Sequence, residues 1–220
     1  MRTIQVTGSG RLTLKPDMTR IMMTLTGTEK EYGDAVAKTS EQTAKLAEVF
    51  AAFGFAREDL KTTSFNIDTE YEGYDENGIW KQRFAGYRYN HSLKIEFDSD
   101  NDRLGKILYA LAHCDLTPEF RIMYTVKDPE TARKELLEMA VADAKKNADI
   151  LAEAAGLAVT DIQNIEYSHR DIGFVTAPVN HMMLAKGVAE DTASYNIDIE
   201  PDGIEVSDSV TIIWEIGWKR

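Results

Sequence analysis

The stretch RIMMT at residues 20–24 recurs in outline as RIMYT at residues 121–125, and each leads into a long helix-forming segment. The two segments also end alike, with AFGFA at residues 52–56 and AAGLA at residues 154–158. Internal similarity of this kind indicates a duplicated supersecondary unit in which each copy is completed by its partner. The sequence therefore predicts an internal repeat.

The repeat extends to a later strand, because SLKIEF at residues 92–97 corresponds to SVTIIW at residues 209–214. The copies span about residues 18–97 and 119–218, and each reads as a β-α-β-β unit. No linker rich in Pro, Gly or Ser separates them. We therefore predict an α+β fold, an antiparallel sheet with two long helices packed on one face, in a single domain over residues 1–220.

Local signals set the expected helix boundaries and faces. Thr28 with Glu31 matches a capping box, so we expect the first long helix to begin there and to end at Phe53 before Gly54. Asp128 followed by Pro129 predicts the start of the second long helix. The expected inner stripe of that helix is Leu137, Val141, Ala144, Ala148, Leu151 and Ala155.

A long hairpin over residues 61–97 carries the clearest candidate surface. Its turn is Asn77-Gly78, the dipeptide favoured in two-residue hairpin loops. Aromatic residues surround this turn, and exposed aromatics at a loop tip are typical of interface anchors. We predict an interface formed by Tyr74, Trp80 and Phe84; the alternative is that these rings pack on the protein's own helices. The irregular segment 172–186 is a second candidate surface.

Composition and charge exclude several function classes. The 220 residues carry a formal net charge of −12, which repels phosphate backbones and anionic lipids. We therefore expect no nucleic-acid partner, and no apolar stretch reaches the length that membrane insertion needs. The single cysteine, Cys114, cannot form an intrachain disulfide. Residues 1–6 lead directly into a strand, so we expect no signal peptide and a cytoplasmic location.

Motifs for chemistry are weak throughout. Gly8 and Gly10 lie inside a predicted strand, where tight packing or a bulge explains them better than a nucleotide loop. Two acidic runs, residues 98–102 and 198–203, depart from the calcium-loop pattern, and we interpret the first as a helix cap. The four histidines, His91, His113, His169 and His181, show no metal-ligand spacing. We predict no catalytic residues, no metal site and no cofactor.

Several short motifs, in order along the chain, resemble the SIMPL-domain (YggE-like) family. They are Ile4-x-Val6-x-Gly8-x-Gly10, Pro16-Asp17, Asp59-Leu60-x-Thr62, Gly86-Tyr87 with Asn90, the alanine-spaced helix from Ala140 to Ala152, and the last strand with Trp214. The resemblance covers nearly the whole chain. It implies an α+β protein without an established reaction, a tendency to form homo-oligomers and a loose link to stress responses. Many bacterial members carry export signals.

Three functions are open at this point. We favour a non-enzymatic, self-associating SIMPL-domain protein that uses strand edges and the aromatic hairpin as contacts. The alternative is a module that binds a small ligand or a metal at a site between the two repeats. An unrecognised hydrolase ranks last, because no spacing of nucleophile and base is visible in the sequence.

Overall fold

The computed structural model describes residues 2–116, 118–168, 172–178 and 194–218. Within this part of the chain seven strands and three α-helices form two compact units. The elements are β1 (Arg2–Leu14), β2 (Met18–Glu29), α1 (Tyr32–Ala51), β3 (Lys61–Glu76), β4 (Ile79–Asp98), α2 (Asn101–His113), β5 (Glu119–Thr125), α3 (Pro129–Ala154), β6 (Leu157–Glu166) and β7 (Ile204–Trp218), with a short 3₁₀ turn at Arg57–Asp59.

The first unit comprises residues 1–17, 125–176 and 201–220. Its strands lie in the order β1-β7-β6, and both neighbouring pairs are antiparallel. Helix α3 packs on this sheet, chiefly against β1 and β7. Val6, Val210, Ile212 and Trp214 form the sheet side of that core.

The buried face of α3 differs from the stripe expected from the sequence. Its buried residues follow a spacing of four: Ala132, Leu136, Ala140, Ala144, Ala148 and Ala152. Of the expected stripe, Ala144 and Ala148 are buried, whereas Val141 and Leu151 are exposed. The correction has a steric cause, because a Cβ on Gly8 would lie 2.1 Å from the Ala140 carbonyl oxygen. A backbone approach this close leaves room only for small side chains where α3 crosses Gly8, at Ala140 and Ala144, and it confirms tight packing at the glycines of β1.

The second unit comprises residues 18–124 and 177–200. Its strand order is β3-β4-β2-β5, with β4 antiparallel to both β3 and β2. Helix α1 packs on β2 and β4, and α2 contributes Leu104, Ile107, Leu108 and Leu111 to the same core. Strand β4 is buried on one face, where Tyr89, His91, Leu93, Ile95 and Phe97 follow a period of two.

The α+β class is therefore confirmed, and the structure adds that each long helix packs on a sheet of its own. The hairpin and the last strand lie where the sequence predicts them. Gly54 and Gly156 follow the two long helices with positive φ angles of 81° and 73°, as expected for helix stops. The internal repeat stays a prediction.

The expected capping box at Thr28 is wrong. Strand β2 continues to Glu29, and α1 begins at Tyr32 after Glu31, whose side chain makes no capping hydrogen bond. The Thr28 hydroxyl instead donates to the Glu70 carboxylate at 2.6 Å, a partner in β3. By contrast, Asp128 caps α3 as predicted, accepting from the Thr131 amide at 3.0 Å. None of the helices in the described ranges is long and apolar enough to cross a membrane.

Candidate functional site

The β3–β4 hairpin closes on the predicted two-residue turn. Asn77 and Gly78 both have positive φ angles, 56° and 77°, which is the backbone of a type I′ turn. The Gly78 amide also donates to the Asp75 carboxylate at 3.0 Å. The turn joins strands that pair from Glu76 with Ile79 back to the body of the sheet, so the hairpin is long and continuous.

Among the strands that the structure describes, none pairs with the outer part of this hairpin. Strand β2 pairs with β4 only as far as Glu29 opposite Tyr87. Beyond that pair, the strand pairing of residues 70–86 is between β3 and β4 alone, and we call this segment the hairpin arm. At about 3.3 Å per residue the arm extends about 25 Å past the end of β2. A two-stranded ribbon is marginally stable in water by itself, so its side chains need partners.

A β-bulge at the base of the arm decides which side chains share a face. The register shifts between Glu70 opposite Gly86 and Tyr71 opposite Phe84, which leaves Ala85 as the extra residue of β4. The extra residue brings Phe84 to the same face as Tyr87, whereas strict alternation would separate them. The two rings meet edge to face with centroids 5.3 Å apart.

The aromatic face of the arm continues the face of the sheet that α1 covers. Edge-to-face contacts run from Tyr71 to Phe84 (5.9 Å), from Phe84 to Tyr87 and from Tyr87 to Tyr32 (5.6 Å). Tyr32 is the first residue of α1, so the part of the sheet that the helix covers stops where the arm begins. Without a covering helix, Tyr71 and Phe84 are 57% and 45% exposed.

Trp80 belongs to this face and Tyr74 does not. Trp80 lies near the turn, 72% exposed, and a Cβ on Gly73 would lie 2.3 Å from its ring. Tyr74 pairs with Lys81 on the opposite face, where it is half-buried and the Arg83 guanidinium lies 5.6 Å from its ring. The structure thus brings Trp80 and Phe84 together and places the third predicted interface residue elsewhere.

The two faces of the arm differ in charge. On the Tyr74 face, Arg83 pairs with Glu72 and Lys81 pairs with Glu76. The residues of the aromatic face are Tyr71, Gly73, Asp75, Trp80, Gln82 and Phe84. Sequence reasoning chose the rings nearest the turn and therefore left out Tyr71, although the pairing counted from Asn77-Gly78 places Tyr71 opposite Phe84. The arm is amphipathic, with Tyr71, Phe84 and Trp80 as its apolar surface.

The motifs considered for metal chemistry have structural roles where the structure describes them. Asp100 caps α2 by accepting from the Arg103 amide at 3.0 Å, which confirms the helix-cap interpretation of the first acidic run. Cys114 donates to the Leu111 and Leu116 carbonyl oxygens at 3.1 and 3.0 Å. In the described ranges no three His, Cys, Asp or Glu side chains are grouped as a metal ion requires. His169, His181 and residues 179–186 of the second candidate surface lie outside those ranges.

His91 is a hydrogen-bonded core histidine. It is 7% exposed, its Nε2 lies 2.8 Å from the Thr62 hydroxyl, and its Nδ1 lies 3.2 Å from the Thr43 hydroxyl. Burial holds the pKa of His91 below its ordinary value. The ring is therefore neutral near pH 7, and its two threonine partners were not visible from the sequence.

Comparison with known families agrees with this architecture. The sequence model of SIMPL, described as "Protein of unknown function (DUF541)", matches residues 4–214. The chain belongs to the SIMPL family. The match includes both sheets and the whole hairpin arm, so the candidate surface is built inside the family domain and is not an addition to it.

Individual SIMPL relatives are distant and cover most of the chain. The 26 kDa periplasmic immunogenic protein of Brucella melitensis is 25% identical over 210 residues, which cover 90% of this chain and 84% of the relative. A protein of the same name from Brucella abortus is 24% identical over the same shares. The uncharacterized protein YggE of Edwardsiella ictaluri is 21% identical over 213 residues, covering 97% and 86%.

Proposed function

We propose that this SIMPL protein is a non-enzymatic, self-associating protein that uses the aromatic face of its hairpin arm as a contact between copies. The observation that carries the proposal is that the hairpin is longer than the strand and the helix beside it. The arm extends past both β2 and α1, and it leaves Tyr71, Phe84 and Trp80 uncovered in one row.

Apolar burial supports a contact at this row. Aromatic side chains bury large areas at little entropic cost, and they dominate the energy of many interfaces. A contact with a second copy would also support a ribbon that has no third strand of its own. The charged pairs on the opposite face keep that face in water, which favours association through the aromatic face alone.

The edge position of β3 supports the same proposal. β3 is an outer strand of its sheet, so one side of it presents unpaired backbone groups along the arm. Such edges pair readily with a strand of another chain, and main-chain hydrogen bonds then add to side-chain contacts. Phe65, which is 47% exposed on β3, continues the apolar surface toward the sheet body.

The site geometry favours a non-enzymatic role. Among the described residues, the pair that most resembles a hydroxyl nucleophile with a histidine base is Thr62 with His91, at 2.8 Å. The group that orients the ring is a neutral threonine hydroxyl, which cannot stabilise an imidazolium as the carboxylate of a catalytic triad does. We expect no turnover of esterase, phosphatase or peptidase substrates, and turnover that Thr62→Val abolishes would contradict this part of the proposal.

The names of the relatives support a compartment other than the one expected from the sequence. The names of both Brucella relatives contain "periplasmic", which does not fit the cytoplasmic location expected from the sequence. We therefore propose that this protein works outside the cytoplasm. Fractionation of cells that express the natural gene tests this: recovery with a periplasmic marker supports it, and recovery with a cytoplasmic marker contradicts it. A role in stress responses is a further proposal, tested by the survival of a deletion strain under oxidants.

Solution mass tests self-association directly. Light scattering after size-exclusion chromatography, at two protein concentrations, should give a multiple of the 24.7 kDa chain mass. The double variant Trp80→Ser/Phe84→Ser should give smaller species. Ile162→Ser/Ile165→Ser is the matched control, because these two exposed apolar residues lie on the edge strand β6 of the other sheet.

The measured masses distinguish the arm from other contacts between copies. A monomeric wild-type protein contradicts self-association. An unchanged mass in the hairpin variant excludes the arm as the contact, and a loss of mass only in the β6 variant moves the contact to β6. Urea unfolding of both variants shows whether either substitution affects the fold of the single chain.

A further inference from the structure

A cavity of about 340 Å³ lies within the second unit, between α1 and the strands β3 and β4. This volume is at the lower end of the range found for small-molecule sites. Its lining residues are Val36, Thr39, Ser40, Thr43, Arg57, Thr62, Phe65 and His91. The cavity is distinct from the junction between repeats considered in the sequence analysis, because all of its lining belongs to one unit.

A chain of hydrogen bonds fixes the polar floor of this cavity. The Thr43 hydroxyl donates its only proton to the Thr39 carbonyl oxygen at 2.8 Å. Its oxygen must therefore accept from Nδ1–H of His91, since the two atoms lie 3.2 Å apart. Nε2 of His91 is then left as an acceptor for the Thr62 hydroxyl at 2.8 Å. Both ring nitrogens are occupied and the imidazole is neutral.

Arg57 provides a charge at the rim. It begins the short 3₁₀ turn, its side chain is exposed, and none of the ion pairs among the described residues includes it. The nearby carboxylate of Asp59 is turned to its own backbone, accepting from the Ala56 amide at 2.8 Å. An unpaired guanidinium in a chain of net charge −12 is a specific point of attraction for a small anion.

The walls of the cavity are apolar. Phe65 stands edge to face against the His91 ring with centroids 5.2 Å apart, and it is 47% exposed. Val36 faces the cavity from α1 and is 38% exposed. Arginine binds carboxylates through two parallel N–H bonds, a geometry that suits a planar group with an apolar body behind it.

We propose that this cavity binds a small monocarboxylate, with its apolar body against Phe65 and Val36 and its charged end on Arg57. The neutral hydroxyl–imidazole floor gives the ligand a polar surface without a competing charge. The proposal does not depend on self-association: Phe65 also continues the apolar surface of the arm, but every residue of the cavity belongs to a single chain and none lies in the hairpin arm.

Benzoate is the probe, and benzamide is its uncharged analogue of the same shape. Titration of benzoate followed by NMR should produce saturable shifts in the signals of Phe65, Thr43 and the His91 ring. Benzamide should bind at least about tenfold more weakly, because it lacks the charge that pairs with Arg57. Equal affinity for the two probes, or no saturable shift with benzoate, overturns the proposal.

Substitution of Arg57 at the rim tests whether the charge of the ligand, and not its shape alone, determines binding. Arg57→Gln should weaken benzoate binding about tenfold or more and leave benzamide unchanged. Arg121→Gln is the control, since Arg121 is another exposed arginine of the second unit and does not line the cavity. Arg57 has no ion-pair partner among the described residues and Arg121 is exposed, so both variants should unfold at the wild-type urea concentration. Unaltered benzoate affinity in folded Arg57→Gln protein overturns the proposal.

Discussion

The Cα of Gly8 faces the backbone of Ala140 so closely that a Cβ on Gly8 would lie 2.1 Å from the Ala140 carbonyl oxygen. The same Cβ would lie 2.3 Å from the Ala144 amide nitrogen. Both contacts are with backbone, which cannot rotate aside as a side chain can. The sheet of the first unit therefore lies against α3 at a separation that only glycine permits.

Gly8→Ala should lower the free energy of unfolding by about 1–3 kcal/mol, the usual cost of overpacking a core. The loss would be measured as a lower urea midpoint with an unchanged slope. Gly33→Ala is the matched control, because no atom lies within 4 Å of the Cβ it would add in α1. Alanine in a helix should raise stability there by up to about 1 kcal/mol. A wild-type midpoint for Gly8→Ala would mean that α3 and β1 separate easily.

This contact explains why one prediction from the sequence failed and another succeeded. Helix α3 itself was predictable, because Asp128, Pro129 and Gly156 are local signals that act within a few residues. Its buried face was not, because alanine and leucine stripes are both available on a helix of this composition. The choice between them depends on Gly8, more than a hundred residues away in sequence.

The hairpin at the candidate site also combines a feature that the sequence predicts with one that it does not. Asn77-Gly78 predicted the turn and hence the pairing of β3 with β4. Which face of the arm continues the face of the sheet that α1 covers could not be counted from the sequence, because one extra residue at Ala85 reverses the alternation. The predicted start of α1 was wrong for a similar reason, because the Thr28 hydroxyl donates to Glu70 of another strand.

Gly86→Ala should destabilise the base of the arm. Gly86 has a φ of 153°, and a Cβ there would lie 2.4 Å from the Glu29 carbonyl oxygen. We expect a loss of about 1–3 kcal/mol in the free energy of unfolding, together with a smaller particle mass if the arm is the contact between copies. Gly73→Ala is the comparison, because its Cβ would meet only the ring of Trp80, an exposed side chain that can move. Equal losses in the two variants would contradict this account.

Asp100→Ala should weaken α2 through the loss of its cap. The Asp100 carboxylate accepts from the Arg103 amide at 3.0 Å, and removing such a cap costs about 0.5–2 kcal/mol. Thr28→Ala should cost less, because Thr28 caps no helix and its hydrogen bond to Glu70 is exposed to solvent. Urea unfolding of the two variants measures the difference. A larger loss of unfolding free energy for Thr28→Ala would contradict the finding that Thr28 caps no helix, and would support the capping box predicted from the sequence.

His91 should make the stability of the protein depend on pH below neutrality. Burial lowers the pKa of its ring below the ordinary value of 6.5 in the folded state, whereas the unfolded chain keeps that ordinary value. Between these two pKa values the unfolded state binds more protons, so the free energy of unfolding rises with pH in that interval. The stabilisation is fully present above pH 6.5 and is lost as the pH falls through the folded pKa.

Two measurements check this prediction for His91. Nitrogen NMR of the ring should show the neutral Nδ1–H tautomer at pH 7, because the Thr43 oxygen accepts from Nδ1 and the Thr62 hydroxyl donates to Nε2. Urea unfolding between about pH 5 and 8 should then show a weaker pH dependence in His91→Gln than in the wild type. An Nε2–H tautomer would contradict the hydrogen-bond chain, and with it the neutral floor on which the proposed carboxylate site rests.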